Sequence, residues 1–259
     1  VYYKDRSDDM RKILLYFSLK YQGDYQKIYQ AIKQKEKVSP EDLNHIEQKI
    51  QSQYVTLIDE AYPESFKHIP NPPWVLYYYG NLSLLCHPLI IGVIGTRNAS
   101  LYGKEMCKRL IQELKDENCC IISGLAKGID GLAHQEALKQ KLNTIAVLGS
   151  GIDYCYPKSN QKLYQQIKQE GLVISEYPNQ RLPQKKDFLI RNRLIAACCQ
   201  YLVVVEAQLH SGTMNTVTYA LEYGKDVGCI PTMANQNSGC NFLIQQGAKL
   251  IEHAKDIFE

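Results

Sequence analysis

The chain has 259 residues, enough for one large domain or for one domain with a small neighbour. With 45% hydrophobic residues, 22% charged residues and a net charge of +3, it has the composition of an ordinary globular protein, which excludes a long disordered tract. No apolar run reaches the ~20 residues of a membrane span, and residues 1–10 are too polar for a secretory signal. We therefore expect a cytoplasmic protein that has no membrane partner.

The N-terminal part predicts short helices. Apolar residues recur at helical spacing from Met10 to Phe17, and Ser39-Pro-Glu-Asp42 combines an N-cap, a first-turn proline and two acids. A strand is predicted at Tyr54–Ile58, and an extended aromatic stretch over Asn71–Asn81. We divide the chain into a small all-helical module, residues 1–53, and a larger domain, residues 54–259.

From residue 89 onward, predicted strands and helices alternate. Strands are predicted at 89–94, 119–122, 144–148, 172–175, 201–205, 227–230 and, weakly, 249–251, and helices at 103–117, 129–140, 160–170, 186–199 and 213–223. Tyr201–Val205 is apolar on both faces, which is typical of a central parallel strand. The alternation predicts an α/β fold with a doubly wound, mostly parallel sheet.

Small, polar or basic residues occupy six loops, each at the end of a predicted strand, where a helix would begin. The loops are 95–100, 123–128, 149–151, 178–188, 210–213 and 232–239. In a parallel sheet these loops share one rim, where such folds bind ligands. Glycines and exposed helix-start N–H groups favour an anion, and cationic side chains add charge: Arg97, Lys127, Lys185, Arg191 and Arg193.

Charge is concentrated in one segment. Residues 181–193 contain five basic residues and one acid, a local charge of +4, so the remainder of the chain sums to −1. A concentrated basic patch on a near-neutral body favours a polyanion bound at one place. The nine cysteines lie mostly in apolar segments, their number is odd and no CxxC pair occurs, so we expect buried reduced thiols and no metal.

A dinucleotide is a poor fit to the first glycine loop. Gly92–Arg97 is not GxGxxG, and Ser123-Gly124 stands where an acidic residue would end the second strand. We therefore expect no nicotinamide cofactor. Arg97 favours a phosphate or sugar-phosphate, with a surface arginine that caps the turn as the alternative.

The segment 183–193 favours a nucleic acid. Lys185, Phe188 and Arg191 are spaced three residues apart and share one ridge if the helix begins here. A lysine and an arginine for phosphates, with an aromatic ring for a base, are what single-stranded binding requires. The alternative is that Phe188 packs in the core at the helix N-terminus.

Enzyme chemistry has few candidates. Asp130 and His134 are four residues apart on a predicted helix, a spacing that suits a catalytic pair but more often an ordinary structural pair. Glu206, at the end of the fifth predicted strand, is a possible general base without a second acid or nucleophile at a convincing spacing. His210 is interpreted as a loop residue.

Several motifs together resemble the DprA (Smf) family of DNA processing proteins. The match runs from about Tyr54 to Ile251, and its motifs are at 123–134, 146–160, 175–178, 188–196, 205–216 and 239–248. The resemblance implies an extended Rossmann-like domain without a cofactor or catalytic turnover. It also implies a homodimer that binds single-stranded DNA without sequence preference, protects incoming DNA and loads RecA in natural transformation (competence).

The resemblance implies DNA contacts from Arg97, Lys185, Phe188 and the Ser123-Gly124 turn. With the loop residues above, the expected DNA-binding set is Gly95, Arg97, Ser123, Gly124, Lys127, Lys185, Phe188, Arg191, Arg193, Ser211, Gly212 and Thr213. We expect the chain to lack the winged-helix domain that some members carry, and its N-terminal helices resemble the family's only weakly.

Two departures from the family pattern stand out. Pro231-Thr232-Met233 replaces the usual Pro-Gly, which puts any phosphate contact of that loop in doubt, and Ala197-Cys198-Cys199 replaces a glycine. The alternative class is a Rossmann-type nucleotide-processing enzyme of the phosphoribohydrolase kind. Those enzymes carry PGGxGTxxE at this position, and residues 211–216 offer no Glu there.

Overall fold

The computed structural model describes residues 2–234 and 237–259, with side chains from residue 8 onward. Asn235 and Gln236, within the sixth predicted loop, lie outside the described residues. The strands of the described part are β1 (Gln53–Thr56), β2 (Val75–Gly80), β3 (Ile90–Gly95), β4 (Cys120–Ser123), β5 (Asn143–Val147), β6 (Leu172–Ser175), β7 (Tyr201–Glu206), β8 (Asp226–Cys229) and β9 (Lys249–Leu250).

The helices of the described part begin with α1 (Tyr2–Lys20), α2 (Tyr25–Lys33), α3 (Pro40–Leu43) and α4 (Glu64–Lys67). Those of the α/β part are α5 (Leu101–Glu113), α6 (Ile129–Lys139), α7 (Gln161–Glu170), α8 (Lys185–Cys198), α9 (Gly212–Glu222) and α10 (Gly239–Gln245). The predicted capping sequence Ser39–Asp42 is a capping box in the structure, in which Ser39 accepts from the Asp42 N–H.

Within residues 2–234 and 237–259 the strands form one nine-stranded sheet in the order β1-β2-β6-β5-β4-β3-β7-β8-β9. From β6 to β9 all neighbours are parallel, whereas β2 joins β6 and β1 joins β2 antiparallel. Every residue of β4 and β6 is buried, because helices cover both faces of the sheet. The predicted doubly wound, mostly parallel α/β fold is confirmed.

The N-terminal helices share a core with the sheet. Leu14 and Leu15 of α1 belong to the same buried cluster as Val75 and Tyr77 of β2. The Tyr77 hydroxyl donates to Ser18 Oγ at 2.9 Å, which fixes α1 on this edge of the sheet. The division into residues 1–53 and 54–259 stays a prediction, although its boundary coincides with the start of β1.

Two sequence expectations were incomplete. The helix α10 was not predicted, because its first residue, Gly239, falls in the polar segment interpreted as the sixth loop. The cysteines are buried as expected, with Cys86 as the exposed exception. Across the part of the chain that the structure describes, no helix combines the length and the apolar character that crossing a membrane would require.

Candidate functional site

The sheet order places a ligand crevice at one point of the rim. From β3 the chain continues to β4 on one side and later reaches β7 on the other, so the loops after β3 and β7 diverge. A cleft of about 350 Å³ opens there, lined by residues of both loops, of α6, of α8 and of the start of α9. The predicted crevice therefore exists, with Gly95 and Arg97 on one wall and Ser211–Thr213 on another.

A smaller cleft of about 100 Å³ adjoins the first one and shares Arg97 and Phe188 with it. Its other walls are Lys127, from the loop after β4, and Tyr156, from the loop after β5. We call the two clefts together the rim groove.

Phe188 stands at the junction of the two clefts. The Arg97 guanidinium lies 5.4 Å from the centroid of the Phe188 ring, and the Tyr156 ring lies 5.4 Å away at an interplanar angle of 41°. Gly149 supports the ring from behind, since a Cβ at that position would lie 2.8 Å from Phe188 Cδ1. Phe188 is only half-buried, so it packs against its neighbours and still faces the groove.

Tyr156 is a groove residue that sequence reasoning missed. Tyr156 is 44% exposed and lines the smaller cleft, so its ring is open to a ligand in the groove. The Tyr156-Pro157 pair was visible as a family motif, but no spacing related it to Phe188, which lies in a different segment. Only the approach of the loop after β5 to the first turn of α8 brings the rings together.

Three predicted cations are at the surface of the rim: Arg97, Lys127 and Lys185 are all exposed. Among the described residues, no carboxylate lies within ion-pair distance of these three side chains. Their charges therefore act on the groove and on the solvent beside it.

The predicted +4 surface patch is wrong. Arg181 pairs with Asp187 at 2.9 Å, Arg193 pairs with Glu176 at 2.6 Å, and Arg191 is buried. Only Lys185 and Lys186 of the five basic residues are exposed, because each arginine satisfies polar groups inside the protein. The predicted ridge of Lys185, Phe188 and Arg191 is likewise broken at Arg191, which turns inward.

The Ser123-Gly124 turn is part of the protein interior. Ser123 is fully buried and donates its hydroxyl to the Val93 carbonyl at 2.7 Å. The Gly124 N–H donates to Asp130 Oδ2 at 3.2 Å, and the Gly124 carbonyl accepts from Arg191. This turn therefore shapes the floor of the groove, and Lys127 is the exposed residue of the same loop.

The start of α9 offers backbone donors to the large cleft. The Ser211 side chain does not cap the helix, since its hydroxyl donates to the Gln208 carbonyl at 2.8 Å. Gly212 and Thr213 line the cleft with the first turn of this eleven-residue helix. Unused N–H groups and the helix dipole attract an anion here.

The titratable candidates for catalysis are held by structural contacts. His134 is fully buried. The Thr144 hydroxyl donates to the Ile121 carbonyl, so its oxygen accepts from His134 Nδ1–H at 2.7 Å. The expected pairing of His134 with Asp130 is therefore absent, and burial lowers the pKa of His134 to about 3. Burial also raises the pKa of Asp130, against the opposing effect of Arg191.

Glu206 holds Ser100, the N-cap residue of the helix α5. Its Oε2 accepts from the Ser100 N–H at 3.0 Å and from the Ser100 hydroxyl at 3.2 Å. Exposed His210 lies in the loop ahead of α9, as interpreted from the sequence.

The sixth loop borders a separate polar cleft of about 160 Å³, lined also by Asn98 and Glu206. Asn241 fixes Thr232 there, accepting from its N–H and donating to its carbonyl, each at 2.9 Å. The residues that replace the usual Pro-Gly thus form an ordered turn beside the rim groove.

Known proteins resemble this chain over most of its length. Residues 53–259 match the model of the family described as DNA recombination-mediator protein A. This chain belongs to that family. The DNA processing protein DprA of Streptococcus pneumoniae (strain ATCC BAA-255 / R6) is 42% identical over 204 residues, which cover 78% of this chain and 72% of the relative. The DprA of Bacillus subtilis (strain 168) is 38% identical over 207 residues, 79% of this chain and 70% of the relative.

Two solved structures of family members resemble this one. The crystal structure of the S. pneumoniae protein has a TM-score of 0.79 and 34% identity, covering 99% of this chain and 95% of that one. A solved structure of DNA processing protein A from Helicobacter pylori, described in terms of its single-stranded DNA binding mode, matches this one with a TM-score of 0.72 and 35% sequence identity. It covers 80% of this chain and 94% of that one.

Proposed function

We propose that this protein binds single-stranded DNA in the rim groove and acts as a recombination mediator. The observation that carries the proposal is the position of Phe188, half-buried between the Arg97 guanidinium and the Tyr156 ring on the ligand-binding rim. An aromatic surface next to cations is the combination by which proteins hold unpaired strands. Family membership and the DNA-binding structure of the H. pylori relative support the same conclusion.

The groove chemistry predicts binding without sequence preference. Arg97, Lys127, Lys185 and the start of α9 act on phosphates, which every nucleotide carries. Phe188 and Tyr156 offer ring surfaces that any base can stack on. In a duplex the bases are paired and stacked on one another, so their faces are not available to these rings.

We also propose the wider role that the family resemblance implies, a homodimer that protects incoming DNA and loads RecA during natural transformation. Membership in a family described as a DNA recombination mediator supports a protein that holds single strands and makes no chemical change to them. Analytical ultracentrifugation tests the dimer. Strand exchange by RecA on DNA coated with single-strand-binding protein, with and without this protein, tests the loading.

We propose no catalytic turnover. The two acids that line the clefts of the rim are occupied: Glu206 accepts from Ser100, the N-cap residue of α5, and the buried Asp130 accepts from the Gly124 N–H. DNA that passes to a recombinase must also remain intact.

Competition binding tests the central proposal. A labelled oligo-dT is titrated with protein and then displaced by unlabelled oligo-dT, by a duplex of equal length or by thymidine monophosphate. Oligo-dT is expected to compete best, since it alone offers several phosphates and unpaired bases together. Equal competition by the mononucleotide would replace this proposal with a nucleotide-binding one.

A matched pair of lysine variants locates the binding. Lys127 is at the rim, whereas Lys141 is exposed after α6, at the opposite end of the sheet. Lys127→Ala is expected to weaken binding and to lower the slope of log affinity against log salt by about 0.7, and Lys141→Ala to do neither. Equal losses in both variants would move the site away from the rim.

A further inference from the structure

Three consecutive residues of α8 point into the protein although two of them are arginines in a segment that faces the groove. Arg191, Asn192 and Arg193 are 3%, 9% and 5% exposed. Burial of such polar side chains is costly unless each polar atom finds a partner. Their partners are backbone carbonyls of segments that line the groove and an acid behind it.

Arg191 joins the ends of two strands. Its Nη1 donates to the carbonyls of Gly124, directly after β4, at 2.8 Å, and of Val147, the last residue of β5. A Cβ on Gly124 would lie 2.7 Å from Arg191 Cζ, so glycine is required for this approach. The loop after β4 carries Lys127, and the loop after β5 carries Tyr156.

Asn192 continues the connection on the other side of the groove. Its Oδ1 accepts from Arg191 Nε at 3.2 Å, and its Nδ2 donates to the carbonyl of Gly212, the first residue of α9, at 3.2 Å. Arg193 secures the helix from behind through Glu176 and the Asn71 carbonyl.

We propose that Arg191 and Asn192 are positioning residues that hold the walls of the rim groove in register before DNA arrives. This inference rests on the proposed function. The same helix carries Lys185 and Phe188 one to two turns earlier, so α8 relates the stacking ring to the loops of Lys127 and Tyr156 and to the start of α9. A groove fixed in this way avoids the entropy cost of ordering four separate segments on binding.

The alternative is that Arg191, at the floor of the large cleft, contacts a phosphate directly. Burial lowers the pKa of Arg191 to about 10, so the side chain is charged at neutral pH in either case. A lysine separates the two roles. It keeps the positive charge, but a single ammonium group cannot reproduce the planar fork that reaches two carbonyls and the Asn192 amide.

The experiment measures oligo-dT affinity over a salt series for the wild type, Arg191→Lys, Arg191→Ala and Asn192→Ala. Hydrogen exchange of residues 124–128 and 212–216 is followed in the DNA-free proteins. We expect each variant to bind about tenfold more weakly, with an unchanged salt slope and faster exchange in both segments, because lost positioning does not alter the number of phosphate contacts.

Two results would overturn the inference. Wild-type affinity of Arg191→Lys, together with a salt slope lowered by about 0.7 in Arg191→Ala, would make Arg191 a phosphate ligand. Wild-type affinity and exchange in Asn192→Ala would remove Asn192 from the positioning role, and this neutral variant carries the test if the Arg191 variants do not fold. Failure of the wild type to bind oligo-dT would count against the proposed function alone, because hydrogen exchange still tests the connection without DNA.

Discussion

Replacement of Phe188 by alanine separates base stacking from phosphate binding. The ring is half-buried, with Arg97 and Tyr156 each 5.4 Å from its centroid, so its removal takes away the central stacking surface and leaves every cation of the groove in place. Stacking contributes about 1 to 3 kcal/mol per base, so Phe188→Ala is expected to weaken oligo-dT binding by roughly 5-fold to 150-fold.

The assay compares oligo-dT with an oligonucleotide of equal length made of abasic sites, which keeps the phosphates and lacks the bases. Phe188→Ala is expected to lose affinity for oligo-dT and to bind the abasic strand within about threefold of the wild type. Tyr156→Leu is expected to behave in the same way but with a smaller loss, and Tyr156→Phe to retain wild-type binding because the ring remains.

Ile190 supplies the control, since it is 37% exposed on the same turn of α8 and does not line the groove. Ile190→Ala is expected to bind both oligonucleotides as the wild type does. If Phe188→Ala loses the same affinity for oligo-dT and for the abasic strand, the stacking role is refuted. Such a result would show damage to the phosphate contacts or to the fold.

Three further predictions concern charge and protonation. Arg97→Ala and Lys185→Ala are each expected to weaken binding for all sequences alike and to lower the salt slope by about 0.7, as fluorescence anisotropy over a salt series would show; an unchanged slope would exclude a phosphate contact. Glu206→Gln is expected to leave DNA binding near wild type. If the wild type releases free base from nucleoside monophosphates or cleaves labelled DNA, and Glu206→Gln abolishes that activity, the protein is instead an enzyme. Because burial lowers the pKa of His134 to about 3, from an ordinary value of 6.5, the unfolded chain binds a proton that the folded chain excludes between these values. The free energy of unfolding is therefore expected to fall by up to about 1.4 kcal/mol per pH unit below pH 6; urea titrations of His134→Leu that show the same acid sensitivity would contradict this.

The fold could be predicted from sequence because its determinants are local. The run Tyr201–Val205 is apolar on both faces, and it is β7, between two parallel neighbours, in the structure. Glycines and short polar segments predicted six loops at the ends of strands. In a parallel sheet these ends lie at one edge, so the loops form one rim.

The groove was less predictable, because a sequence does not show whether a charged side chain faces the solvent or the protein interior. Lys185 and Arg191 have the same spacing relative to Phe188, yet one is exposed and the other binds carbonyls of two neighbouring strand ends. Tyr156 was not predicted for a related reason, since its partner ring, Phe188, belongs to the helix α8. Such contacts depend on how distant segments meet, which the spacing of residues along one segment does not encode.

Photo-crosslinking tests the central claim most directly. A single-stranded oligonucleotide that contains 5-iodouracil is irradiated with the protein, and the crosslinked peptide is sequenced by mass spectrometry. Because a stacked base lies against the aromatic rings, the adducts are expected at Phe188 or Tyr156, and an excess of unlabelled oligo-dT is expected to prevent them. Adducts confined to residues outside the rim groove, with both rings unmodified under conditions of saturated binding, would contradict the assignment of this groove to single-stranded DNA.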